Sequence, residues 1–193
     1  MARTPSTMLP LGTKAPDFLL PDTVSGKICS FADLKGNRGT LLMFICNHCP
    51  FVIHVNPELV RLGKDYAERG IGIIAISSND VENYPQDHPD RMRETAKSEG
   101  YTFPYLYDAT QETAQNYQAA CTPDFYLFDS DDLLVYRGQL DDSRPGNKIP
   151  VSGKDLRKAL DCLLENRPIS ENQKPSIGCN IKWKVGNEPD YFP

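Results

Sequence analysis

The stretch from Thr40 to Ser78 constrains the fold most. Residues 40–45, Thr-Leu-Leu-Met-Phe-Ile, form a short continuous apolar run, the pattern of a strand buried on both faces of a sheet. Residues 71–78, Ile-Gly-Ile-Ile-Ala-Ile-Ser-Ser, form a second such run. Between them Val52, Val55, Leu59, Leu62 and Tyr66 step at three or four residues with charged residues interspersed, which predicts a helix over 50–69. Pro57 should kink that helix and Gly70 should end it. Strand, helix and strand with short links make a right-handed parallel βαβ unit.

The rest of the chain extends this unit. Residues 87–99 carry many charges and predict a second helix, 103–107 a short strand and 111–119 a short helix. Cys-Thr-Pro-Asp-Phe-Tyr-Leu-Phe-Asp at 121–129 and Leu-Leu-Val-Tyr-Arg-Gly at 133–138, joined through Asp131 and Asp132, predict an antiparallel hairpin. Ser152 with Asp155 resembles a capping box at the start of a last helix, whose apolar face is Leu156, Ala159, Leu160, Leu163 and Leu164. Residues 16–34 suggest an N-terminal hairpin and a short helix. In the Pro- and Asn-rich segment 166–193, Ile181, Trp183 and Val185 alternate, so an ordered arm packed on the domain is expected. The fold class is α/β, with a central mixed sheet flanked by helices. The expected organisation is one domain over 1–165 and a C-terminal arm over 166–193.

Cys46-Asn47-His48-Cys49-Pro50 lies between the buried strand and the first long helix. A CxxC pair in a βαβ context points to dithiol redox chemistry, because the spacing permits a small disulfide. Pro50 suits the first helical position, which places Cys49 at the N-cap. There the unpaired N–H groups favour a thiolate, and a protonated His48 would favour it further.

Composition narrows the alternatives. The 193 residues are 39% hydrophobic and 24% charged, which suits one globular domain with extensions. A net charge of −5 without a Lys/Arg cluster gives no reason to expect nucleic acid or an anionic membrane as partner. No apolar run reaches the length of a membrane span, and the first residues lack the apolar centre of a signal peptide, so a cytoplasmic protein is expected. In that setting a close cysteine pair is catalytic or metal-binding rather than part of a disulfide framework. No nucleotide or flavin site is discernible, and no cofactor is expected.

Ala15-Pro16-Asp17-Phe18, Leu34-Lys35-Gly36, the strand before Cys49-Pro50 and Thr122-Pro123 resemble the AhpC/TSA redoxin group, the peroxiredoxins and their thioredoxin-like relatives, over about residues 10–165. The CNHCP motif, Asp141-Asp142-Ser143-Arg144-Pro145-Gly146 and Gly178-Cys179-Asn180-Ile181-Lys182-Trp183 are similar to a peroxiredoxin-like subgroup and carry the likeness through the C-terminus. The resemblance implies a thioredoxin-like fold with an added N-terminal β-hairpin. Thioredoxins keep an aromatic residue five positions before the first active-site cysteine, and peroxiredoxins keep Pro directly after theirs. Phe44 and Pro50 satisfy both rules for Cys49, so the resemblance implies Cys49 as nucleophile and Cys46 as resolving thiol. Where the peroxiredoxin motif has Pro and Thr or Ser, seven and three positions earlier, this chain has Leu42 and Cys46. A thiolate with a resolving thiol fits disulfide exchange better than peroxide reduction.

The same resemblance implies a cis proline at Pro123, facing the cysteines, with the backbone at Thr122 able to pair with an extended substrate; the plainer reading is a strand-entry proline. Cys121 is either a third redox thiol or a small core residue. Cys179 on the arm reads first as a packing residue; the alternative is an additional redox thiol, since some peroxiredoxins carry a resolving cysteine on such an arm, often reaching the partner of a homodimer. Cys29 and Cys162 read as structural. Asp141, Asp142 and Arg144 read as a solvated turn, and His54 as facing solvent. The leading expectation is a thiol-disulfide oxidoreductase acting on a disulfide or peroxide substrate, reduced by a dithiol such as thioredoxin, or by glutathione. The alternatives are an antioxidant thiol peroxidase, a copper or zinc chaperone with Cys46, His48 and Cys49 as ligands, and a non-catalytic interaction module.

Overall fold

The computed structural model describes residues 3–192. The elements in chain order are β1 (Arg3–Pro5), β2 (Leu19–Pro21), β3 (Ile28–Ser30), α1 (Phe31–Leu34), β4 (Gly39–Phe44), α2 (Pro50–Ala67), β5 (Ile71–Ser77), α3 (Pro89–Glu99), β6 (Tyr105–Tyr107), α4 (Glu112–Asn116), β7 (Cys121–Thr122), β8 (Asp124–Asp129), β9 (Leu134–Gly138), α5 (Lys154–Leu164) and β10 (Ile177–Asn180).

A five-stranded sheet in the order β6-β5-β4-β8-β9 forms the centre. β4, β5 and β6 run parallel, while β8 is antiparallel to β4 and to β9, so the sheet is mixed. All of β4 is buried, as its apolar run predicts, and its side chains alternate between two cores. Leu41 and Met43 join Val52, Leu59 and Leu62 of α2, Met92 of α3 and Leu156 and Leu160 of α5 on one face. Leu42 and Phe44 join Phe18, Phe31, Tyr117, Ile181 and Trp183 on the other. Full burial of each such leucine contributes about 2 kcal/mol. This is the thioredoxin-like arrangement that the resemblance implies, with the N-terminal hairpin present as β2 and β3.

Some expectations needed correction. β1 has no strand pattern of its own in the sequence and forms by pairing with β10. The run 121–129 is two strands, because the chain leaves the β10 ladder at Thr122 and joins the central sheet at Asp124. α2 is a single helix that contains Pro57 and stops at Ala67, three residues before Gly70 at φ +88. The helix expected over 87–99 starts at Pro89, after a 3-10 turn over Pro85–Asp87, with His88 as its N-cap. Ser152 does not cap α5. The N-cap is Gly153 at φ +66, a left-handed conformation that glycine adopts without strain. The buried Asp141 carboxylate accepts the backbone N–H groups of Ser152 and Gly153, both at 2.7 Å, while Asp155 accepts from Gln139.

The turn expected to be solvated is therefore a lock. Asp141 is 1% exposed, and Arg144 donates to the carbonyls of Asp141 and Ser143. His54 is tied into it through Ser143 Oγ at 2.7 Å rather than facing water. The arm alternation fails at Val185, which is 96% exposed because the chain turns there, while Trp183 is buried against Tyr191. Among the described residues no helix is long and apolar enough to cross a membrane.

Candidate active site around Cys49

β4 delivers the chain through Ile45 and Cys46 to a tight loop, and α2 starts at Pro50 with Cys49 as its N-cap in extended conformation. Proline suits this place because the first N–H of a helix has no partner within it. The helix N-terminus is thus aimed at the Cys49 sulfur.

The peptide Thr122-Pro123 is cis, as the resemblance implies, and it touches both cysteines. Cys46 Sγ lies 3.3 Å from Thr122 Oγ1, and the Cys49 thiol donates to the Thr122 carbonyl at 3.2 Å. On the opposite side stands β10, with Cys179 in register with Thr122 and Asn180 with Cys121. When ionised, Cys49 accepts hydrogen bonds from the thiols of Cys179 and Cys46, which hold it well below the usual thiol range against the cost of burial. Cys46 and Cys179 are driven upward in return, first because each donates to Cys49 and then because each is buried. One site therefore contains one favoured thiolate and two thiols that act as its donors.

Cys121 is placed differently. Successive strand residues point to opposite faces, so its side chain turns away from the face on which Thr122 meets the cysteine pair. Its thiol lies 3.7 Å from the Pro123 carbonyl, and burial followed by the nearby Asp124 pushes it up. Cys162 is buried on α5, and Cys29 is half-buried in the N-terminal hairpin, opposite Leu20.

His48 faces a partner that sequence reasoning missed. Its Nδ1 lies 2.7 Å from Asp87 Oδ2, and its ring stacks on Tyr84 at 5.6 Å. Asp87 is fully buried and also accepts from the Asn47 backbone N–H at 2.8 Å and from Asn79 Nδ2 at 2.7 Å. The Asp87 contact raises the His48 pKa, and burial opposes this. A charged His48 reaches Cys49 through space rather than by a hydrogen bond. The available signal was Pro89, which bars residues before it from the helix and leaves Asp87 on a turn where a buried acid must find donors.

The metal alternative changes membership. The residues whose ligand atoms lie within 4.8 Å of one another are Cys46, His48 and Asp87, not Cys46, His48 and Cys49. Asp87 already serves three donors, and the His48 nitrogen facing it is one of them. His48 and Asp87 of this set hold the loop, while Cys46 lies against Thr122.

A model of the AhpC/TSA family matches residues 11–137, the segment that carries β2 to β9 and the cysteine pair. The chain belongs to the AhpC/TSA family. Among solved structures, an uncharacterized conserved protein from Geobacillus kaustophilus is 58% identical with a TM-score of 0.94, covering 95% of this chain and 97% of that one. A hypothetical protein from Sinorhizobium meliloti 1021 is 46% identical with a TM-score of 0.92, covering 95% and 100%. Among curated proteins, the thiol-disulfide oxidoreductase ResA of Bacillus thuringiensis (strain Al Hakam) is 27% identical over 125 residues, 65% of this chain and 67% of its own length. The family match ends before α5 and β10, but the two solved relatives cover nearly the whole chain, arm included.

Proposed function

We propose that this AhpC/TSA protein is a thiol-disulfide oxidoreductase whose working couple is Cys46 and Cys49. The observation that carries the reading is Cys49 at the N-cap of α2, its sulfur receiving hydrogen bonds from neighbouring thiols beside a cis proline. Cys49 attacks a substrate disulfide as the thiolate and forms a mixed disulfide. Cys46, the protonated thiol on the preceding loop, then gives up its proton and displaces the reduced substrate, leaving the Cys46–Cys49 disulfide. A dithiol donor such as thioredoxin, or glutathione, returns the pair to the reduced state. The name of the ResA relative agrees with this chemistry. The unit that carries it is residues 1–165, with 166–193 as its arm.

Disulfide exchange is favoured over peroxide reduction because Cys46 occupies the place where a peroxiredoxin presents a hydroxyl. Peroxide would convert Cys49 to a sulfenic acid, which Cys46 would condense into the same disulfide.

The test uses the Cys179→Ser protein, which removes the arm thiol as a partner for Cys49. One equivalent of diamide is expected to give a Cys46–Cys49 link by mass spectrometry of the non-reduced digest. The wild type is expected to turn over insulin or glutathione disulfide faster than hydrogen peroxide. A Cys46 that stays unlinked, or peroxide turnover that outpaces disulfide turnover, overturns the reading.

A further inference from the structure

β10 pairs with the strand that leads into the cis proline. The backbone before the cis proline is the edge on which an extended polypeptide would pair, and here the chain's own arm pairs on it. Cys179 sits opposite Thr122, the residue whose carbonyl lies 3.2 Å from Cys49 Sγ. The approach is so close that a Cβ on Gly178 would come within 2.0 Å of the Thr122 carbonyl oxygen, so only glycine fits before Cys179. With the arm seated, Cys49 is 0% exposed, and Cys46 and Cys179 are each 2% exposed. No external disulfide reaches Cys49 while β10 is in place.

The arm is clamped on both sides of Cys179. Upstream, Ser176 donates to the Gly138 carbonyl at 2.7 Å and accepts the Ser6 N–H on its own carbonyl at 2.9 Å. Downstream, the Lys182 N–H donates to Asn79 Oδ1 at 2.8 Å, and its carbonyl accepts from Gln111 and from the Asp80 N–H. Asn79 also donates to Asp87, the carboxylate that holds Asn47 and His48. One amide therefore fastens the arm to the loop that carries the cysteine pair.

We propose that β10 is a built-in substrate strand: Gly178-Cys179 fills the position of an incoming extended polypeptide, and Cys179 exchanges with Cys49 to form an internal Cys49–Cys179 disulfide. This rests on the Cys46/Cys49 reading above and deepens it. Starting from the Cys46–Cys49 disulfide, Cys179 loses its proton and its sulfur attacks Cys49 Sγ. The Cys49–Cys179 bond forms and the Cys46–Cys49 bond breaks, with its electron pair leaving on Cys46, which takes up the proton. No net oxidation occurs, and the oxidising equivalents pass from the loop to the arm. An external polypeptide competes with the arm for the same backbone edge. The arm defines the preferred competitor as an extended segment with glycine directly before its reactive cysteine.

The test treats the full-length Cys46→Ser protein with one equivalent of diamide, which takes two electrons and two protons from the thiol pair. The expected product is a monomer in which mass spectrometry of the non-reduced digest links Cys49 to Cys179. A Cys49 that is unlinked, linked to Cys121 or linked between molecules overturns the proposal. A second variant, Gly178→Val, forces β10 off the Thr122 edge. Its Cys49 is expected to react with iodoacetamide at least about tenfold faster than wild-type Cys49, by local opening of a sealed site. An unchanged rate overturns the proposal. Formation of the Cys46–Cys49 link in the Cys179→Ser protein is scored separately. If that link forms and the Cys49–Cys179 link does not, the arm proposal alone fails; if the first link is also missing, the couple itself fails.

Discussion

Cys49 and Cys121 lie on either side of the same cis peptide, and both are 0% exposed, yet their sulfurs are driven in opposite directions. Cys49 stands at a helix N-terminus and receives hydrogen bonds from two thiols. Cys121 stands in an extended strand, its thiol against a carbonyl, with a carboxylate nearby. Burial alone disfavours a thiolate in both places. Thiol donors reverse that preference at Cys49, whereas at Cys121 burial and the Asp124 carboxylate outweigh a backbone donor at Gly178. A buried thiol becomes a nucleophile where its donors outweigh burial and nearby negative charge.

The largest expected consequence is in turnover. Cys49→Ser should lower insulin-disulfide reduction by at least about 10³-fold, because the nucleophile is gone, while Cys121→Ser should stay within about twofold. Comparable losses in both variants would dissolve the contrast.

Asp124 supplies the second difference. It is fully buried, its Oδ1 has no hydrogen-bond partner, and burial pushes its pKa up to about 7. A carboxyl whose folded pKa exceeds its unfolded value binds more protons in the folded state. Its effect on stability is therefore unfavourable as pH rises from about 4 to about 7 and constant above that. A shift of this size corresponds to about 4 kcal/mol across the window. Asp124→Asn should flatten that part of the stability curve, measured by urea unfolding at several pH values. The same substitution removes a carboxylate that pushes the Cys121 thiol up, so alkylation of Cys121 should be faster. An unaltered curve would mean that Asp124 is ionised in the fold.

Asp87 supplies the third and smallest. Its charge helps keep Cys46 protonated, hence a donor to Cys49, and its contact raises the His48 pKa. A raised histidine stabilises the fold below about pH 6.5, and this is lost as pH rises through the higher folded value. In Asp87→Asn the His48 ring resonances should titrate at lower pH by NMR, and disulfide turnover should fall about tenfold. An unmoved His48 titration would place its charge under another group's control.

Local patterns carried much of this protein. The apolar runs at 40–45 and 71–78 specified a parallel βαβ unit because a strand covered on both faces admits little polar surface. The CxxC before Pro50 marked the site because proline at the first helical position places the preceding cysteine at the cap. Segments whose state depends on a distant partner were not legible. β1 is a strand only because β10 lies beside it, Ser152 lost its capping role to Asp141, and Val185 left the alternation at a turn.

The sequence by itself determined the α/β class with its parallel βαβ unit, the position of Cys49 at a helix start and the presence of a thiol three residues before it, since these follow from short-range spacing; the redoxin fold came from the resemblance. Only the tertiary structure decided that Asp87 holds His48, that Cys121 turns away and that Cys179 reaches Cys49 from a strand more than a hundred residues distant. Those outcomes depend on strand register and on the closeness permitted by Gly178. Register is fixed by the joint packing of many side chains and cannot be read from any single segment.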